Sequence, residues 1–223
     1  SCDKIVPGML MAMLRLDIPA IAVTGGPMLA ERIGEKVVTI KTAFEAAGEY
    51  KAGRIGDEEL KLYEDYCAAY CGSCQGLYTA NTMQILTETL GLSLPYCSTS
   101  PCGSSRKLRI AKESGKRVVE LVKEGIKPSD IVTEGSFRNA ITMDMLIGGS
   151  TNTVLHLPAI AREAGIELSL DVFDEISRKT PHIVSIDPAS EHTIADLDES
   201  GGVPTLIKKA RQHFSNELTV SGL

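Results

Sequence analysis

The sequence predicts an α/β fold, a layered domain whose small, mainly parallel sheet is flanked by helices. Three observations carry that expectation. Apolar residues recur at helical spacing along most of the 223-residue chain. Two runs, 18–24 and 183–186, are instead short and continuously apolar, as strands buried on both faces are. Helices dominate around them, and helices layered on such strands make an α/β domain.

Taken in order, residues 7–14 read as a short buried helix with Pro7 near its first turn, where a missing N–H does no harm. The run 18–24 leaves into a loop at Gly25-Gly26-Pro27, as a buried strand does. Helices follow over 40–50 and 57–66, the second opening on Asp57, Glu58 and Glu59, which suit the positive end of a helix dipole. A helix from Asn81 to Leu90 stops at Gly91, and 94–105, rich in Pro, Ser, Gly and Cys, reads as loop. From Arg106 to Lys123 an amphipathic helix carries Leu108, Val118, Val119, Leu121 and Val122 as its apolar positions. A helix near 134–146 is interrupted by Gly148-Gly149-Ser150-Thr151-Asn152, and another runs near 152–164 to Gly165. Helices near 171–178 and 202–214 flank the strand at 183–186.

At 23.9 kDa, 43% hydrophobic and 23% charged, the chain has the composition of a globular domain. A single domain over residues 1–223 is expected. The net charge of −6 argues against nucleic acid as a partner. No apolar run reaches the roughly 18–20 residues that span a bilayer, and no signal-peptide leader is present. A cytoplasmic setting without membrane attachment is therefore expected. In that setting Cys2, Cys67, Cys71, Cys74, Cys97 and Cys102 read as ligands or free core thiols rather than disulfides. The chain opens at Ser1-Cys2 without methionine and closes as a strand would begin, so it reads as part of something longer.

Chemistry concentrates in three places. Cys71-Gly72-Ser73-Cys74 sets two thiols in a glycine-containing turn just before a helix, where backbone N–H groups and the helix dipole favour thiolate. Zinc, an iron–sulfur cluster, a redox disulfide and plain buried thiols all fit that pattern. Cys2-Asp3-Lys4 sets a soft thiol beside a hard carboxylate and an amine, suiting iron or zinc and magnesium or manganese respectively. A lysine beside a metal carboxylate needs an ion pair or a modification, and the tripeptide also reads as a buried cysteine before a surface Asp–Lys pair. The 148–152 turn offers N–H groups and hydroxyls to a carboxylate or phosphate, although helix capping explains Ser150 and Thr151 equally well. His156, inside an apolar helical run, reads as a core histidine. No phosphate loop, dinucleotide fingerprint or nucleophile elbow is present.

Residues 2–12, 18–28, 71–83 and 148–160 together resemble the dihydroxy-acid dehydratase family, which also includes sugar-acid dehydratases. The wording of 71–83 resembles the branched-chain amino-acid enzymes more than the phosphogluconate dehydratases. The resemblance implies a hydro-lyase that converts 2,3-dihydroxy carboxylic acids, such as 2,3-dihydroxyisovalerate, to 2-keto acids in amino-acid biosynthesis. It implies that Cys2 and Cys74 hold an iron–sulfur cluster (2Fe-2S or 4Fe-4S). Asp3 and a carbamate on Lys4 would hold Mg2+, with Cys71 a bystander, and Ser150 and Thr151 would bind substrate. It further implies that the general-base serine and other ligands lie outside this N-terminal segment, which alone lacks parts of the active site. A homodimer or higher homo-oligomer is expected of the longer protein. Two rival readings stand beside it: a gluconate-type dehydratase, and a non-catalytic module holding zinc on Cys67, Cys71 and Cys74.

Overall fold

The computed structural model describes residues 2–222. Its helices are α1 (Ile5–Leu16), α2 (Ile40–Lys51), α3 (Asp57–Tyr66), α4 (Thr79–Thr89), α5 (Ser105–Glu124), α6 (Pro128–Ile131) and α7 (Glu134–Ile147). They continue as α8 (Thr153–Glu163), α9 (Leu170–Ser177), α10 (Ile194–Glu199) and α11 (Gly202–Lys209). Between α1 and α2 a hairpin pairs β1 (Glu31–Ile33) with β2 (Lys36–Val38) in antiparallel register, Arg32 opposite Val37.

Helix α4 organises the main core. Every residue from Ala80 to Thr89 is buried, so the helix is surrounded on all sides rather than lying on a surface. Its threonines return their hydroxyls to the helix: Thr87 Oγ1 donates to the Met83 carbonyl at 2.7 Å, and Thr89 Oγ1 to that of Ile85 at 3.0 Å. Helices α7, α1 and α8 pack around it, contributing Phe137, Ile141, Leu10, Leu157 and Ile160 to one continuous apolar cluster. A smaller cluster of Val38, Ala46 and Tyr63 holds the hairpin to α2 and α3. Some of the helix starts have a side-chain cap. Ser104 accepts the Lys107 N–H at the head of α5, and Thr133 that of Ser136 at the head of α7.

The expected mainly parallel sheet is not what forms. Among the described residues the only ladder is the antiparallel hairpin, and the one parallel pairing is an isolated bridge between Pro27 and Ser73. The runs 18–24 and 183–186 are extended but lie outside any ladder, held by bonds such as Ala22 N–H to the Leu92 carbonyl (2.8 Å) and Ile183 N–H to that of Leu146 (2.9 Å). Their apolar side chains are only partly covered: Ile186 is buried and Ile21, Ala22 and Val184 are half-buried, whereas Ile18, Val23 and Ile183 stay exposed, so an apolar run here does not mark a strand buried on both faces. Most of the helices fall where the sequence places them. The interval 202–214 divides into α11 and a short 3-10 turn at Arg211–His213. No described helix is long and apolar enough to cross a membrane.

Candidate functional site

Cys2, Asp3 and Lys4 form the turn that enters α1, closed by the Ile5 N–H on the Cys2 carbonyl (3.1 Å) and the Gly8 N–H on that of Lys4 (3.1 Å). Cys2 is exposed. The Asp3 carboxylate is gripped on both oxygens: Lys4 Nζ donates to Oδ2, and His156 Nε2 lies 3.2 Å from Oδ1. These two cations-in-waiting pull its pKa below the usual carboxylate range, Lys4 first. His156 is buried in α8, which packs along α1.

The Cys71–Cys74 turn is built from both sides. Ser73 pairs with segment 26–28 through its N–H on the Gly26 carbonyl (2.9 Å) and its carbonyl on the Met28 N–H (2.8 Å). From α4, Asn81 Nδ2 donates to the carbonyls of Cys74 (2.5 Å) and Gly76 (2.6 Å), while Gln84 Nε2 reaches Ser73 Oγ at 2.8 Å. Gln84 Oε1 also accepts the Gly26 N–H at 2.5 Å. On the other flank the Asp187 carbonyl accepts the Leu77 N–H at 2.7 Å. Gly76 has to be glycine here, because a Cβ would sit 2.5 Å from that carbonyl and overlap Asp187 Oδ2.

Cys74 is half-buried, and its thiol is pushed up in pKa, first by burial and next by the neighbouring charge of Cys2. Cys2 and Cys74, distant in sequence, thus share one electrostatic environment. The direction corrects the expectation that this turn favours thiolate. Helix α4 begins only at Thr79, so its dipole end lies beyond the thiol, and desolvation wins. Tyr78 is pushed up to about 12 by burial, then by Asp187 and Cys74. Asp187, buried, is raised by desolvation against the pull of Lys41, whose Nζ is 3.4 Å from Oδ1.

The 148–152 turn is tied to the same helix end. Ser150 Oγ lies 2.8 Å from Thr79 Oγ1, its N–H donates to Thr82 Oγ1 at 3.1 Å, and Asn152 Nδ2 donates to Thr79 Oγ1 at 2.8 Å. Thr151 is exposed. Beneath the turn, Thr153 Oγ1 donates to Asp144 Oδ2 at 2.6 Å, while Oδ1 has no hydrogen-bond partner among the described residues. It presses on Gly149, where any Cβ would overlap it. Burial pushes Asp144 up to about 7.

The residues named from sequence therefore fall around one end of α4 and the paired heads of α1 and α8. Asn81, Gln84, Asp144, His156 and Asp187 complete that neighbourhood without having been picked out for it. Asn81 and Gln84 did leave a signal: polar side chains at i and i+3 on a helix with no exposed face. The zinc module is not supported. Among the described residues no three His, Cys, Asp or Glu side chains converge to hold a metal ion by themselves. Cys67 turns its thiol back to the Glu64 carbonyl at 3.5 Å, and Cys71 acts on Cys102, whose thiol is pushed up in pKa first by burial and next by Cys71.

Comparison with known proteins gives a concordant result. The family model for the dihydroxy-acid/6-phosphogluconate dehydratase N-terminal region matches residues 1–223. The dihydroxy-acid dehydratase of Archaeoglobus fulgidus is 80% identical over 100% of this chain and 41% of its own length. Those of Pyrococcus abyssi and Syntrophobacter fumaroxidans are 57% and 53% identical over 94% and 100% of the chain, and over 38% and 41% of their own lengths. The chain spans about two fifths of the length of these curated relatives.

Proposed function

The chain belongs to the dihydroxy-acid/6-phosphogluconate dehydratase family, and on that footing we propose that it supplies the metal-binding face of a hydro-lyase. The reaction would dehydrate 2,3-dihydroxy acids such as 2,3-dihydroxyisovalerate to 2-keto acids, serving branched-chain amino-acid biosynthesis. The observation that carries this reading is that soft donors and a hard donor adjoin at the head of α1, a set that needs further ligands to be complete. Cys2 acts on Cys74 although 71 residues lie between them in sequence, and the Asp3 carboxylate stands beside Cys2. Thiolates suit iron and carboxylates suit magnesium, so the residues present fit both groups.

Cys2 and Cys74 would hold an iron–sulfur cluster, of two or four irons, and Asp3 with a carbamate on Lys4 would hold Mg2+. When bound, these groups supply a Lewis acid for the departing C3 hydroxyl and positive charge against the substrate's carboxylate and C2 oxygen. The protein's own contribution is placement. The Cys74 carbonyl, tied down by Asn81, fixes the thiol that burial keeps from wandering into water. Lys4, exposed and adjacent to Asp3, is open to carbon dioxide: the ammonium first loses a proton, the neutral amine adds CO2 and a second proton leaves, so a cation becomes an anion beside Asp3. Ser150, anchored to Thr79, and exposed Thr151 would present hydroxyls to the substrate's polar end. The general-base serine belongs to the part of the longer relatives outside this chain. Residues 1–223 would then form one domain, the N-terminal portion of the enzyme.

The deciding experiment reconstitutes the full-length protein anaerobically with iron, sulfide and Mg2+ and assays dihydroxyisovalerate and gluconate. Activity on the dihydroxyisovalerate and loss of the cluster's visible absorption in Cys74→Ser are expected. Turnover of gluconate alone would overturn the substrate assignment in favour of a sugar-acid dehydratase.

A further inference from the structure

We propose that His156 is the positioning residue for the divalent-cation carboxylate Asp3, selecting which of its oxygens faces the ion. The inference rests on the reading of Asp3 as a magnesium ligand. A carboxylate on a free turn rotates broadly about its last torsion, and either oxygen can point anywhere in that sweep. Asp3 is not free. Its Oδ1 meets His156 Nε2 at 3.2 Å, from a side chain only 5% exposed and 153 positions away. That leaves Oδ2, the oxygen now contacted by Lys4, as the one turned toward the ion site.

The chemistry of the contact fixes the imidazole as well. An ionised carboxylate only accepts, so Nε2 must carry the hydrogen and donate it to Oδ1. Carboxylates that bind metals are commonly held this way, and losing the partner typically lowers metal affinity 10- to 100-fold. The anchoring of the histidine supports the role. It stands one turn into α8 from Thr153, whose hydroxyl is bonded to buried Asp144, and α8 packs along α1 directly behind the Cys2–Lys4 turn. The same helix start is continuous with Ser150, bonded to Thr79 at 2.8 Å. A displacement of α8 would therefore move the Asp3 oxygen and the Ser150 hydroxyl together. An ordinary core histidine needs a partner too, but it does not need one on a half-exposed turn at the end of another helix.

The test measures Mn2+ affinity by electron paramagnetic resonance in the full-length protein and in His156→Leu, His156→Gln and Asp3→Asn, with the iron–sulfur absorption as a check on folding. Expected is a loss of about tenfold or more in His156→Leu, substantial recovery in His156→Gln, which restores an N–H donor, and unchanged cluster absorption in both. Wild-type affinity in His156→Leu overturns the positioning role. Wild-type affinity in Asp3→Asn overturns the ligand assignment beneath it, so the two failures are distinct. Should His156→Leu not fold, the wild-type imidazole nitrogen spectrum still decides. A ring protonated at Nε2 before and after Mg2+ addition is expected, and one protonated only at Nδ1 overturns the proposal.

Discussion

Asp144 illustrates how a single carboxyl can be strained by burial with no opposite charge to relieve it. Its pKa stands at about 7 against an ordinary 3.8, with desolvation the first cause and the Thr153 hydrogen bond opposing it. The folded state thus binds this proton more tightly than the unfolded chain. The group's contribution to stability is full below about pH 4 and is lost as pH rises toward 7. The whole effect is of order 4 kcal/mol at most. Urea unfolding at pH 5 and pH 8 should show a smaller drop in Asp144→Asn than in the wild type, and equal drops would refute the burial argument. Nothing local in the sequence marks Asp144, because its surroundings come from α8 and the 148–152 turn. Cys2, Asp3, Lys4 and Cys74 were legible as residue types with a chemistry. His156 was not, since its partner lies 153 positions away.

At the level of elements, α4 carries more of the site than its apolar content suggests. Asn81 donates to the carbonyls of Cys74 and Gly76, the latter shared with the Tyr78 N–H, and accepts from Ser73 Oγ at 2.6 Å. Removing that amide strands the Cys74 carbonyl and takes an acceptor from Ser73 and Gln84, a buried partner lost costing about 1–3 kcal/mol. Asn81→Ala is therefore expected to lower the unfolding free energy by about 2–4 kcal/mol in chemical denaturation. A change under half a kcal/mol would show that water replaces the amide at no cost. The helices were readable because caps and apolar spacing act within one turn of the chain. The strands were not. An apolar run suggests a strand, but at 18–24 Ile18 and Val23 stay exposed and Ala22 bonds the loop at Leu92 instead of a neighbouring strand. The hairpin escaped for the opposite reason: Glu31–Ile33 and Lys36–Val38 are too short and too polar to stand out, and only the Gly34-Glu35 turn between them hints at pairing.

Across the whole molecule, two apolar clusters of unequal size divide the stability. The main one runs through α1, α4, α7 and α8, whereas the hairpin with α2 and α3 depends on Val38, Ala46, Tyr63 and a few half-buried neighbours. Regions with few buried contacts open first. Hydrogen exchange is expected to be faster at amides in 36–66 than in α4 and α7, and protection equal to that of α4 would contradict the division. The division into main core and satellite left one trace in the sequence, since residues 31–67 are markedly richer in charged residues than the rest.

Gln75 stands where these two clusters meet. Its side chain donates to the Cys67 carbonyl at 2.9 Å and accepts the Ile40 N–H at 3.4 Å, while its own carbonyl takes the Ile194 N–H at 2.9 Å. The residue after Cys74 is thus a rivet through two plates of different stiffness. When the softer plate lifts, the rivet transmits the motion to the thiol beside it. If Cys74 holds a cluster as proposed, loss of that group and local melting of the hairpin unit become one event, so a chelator would speed exchange in 36–66, and a reconstituted cluster would slow it.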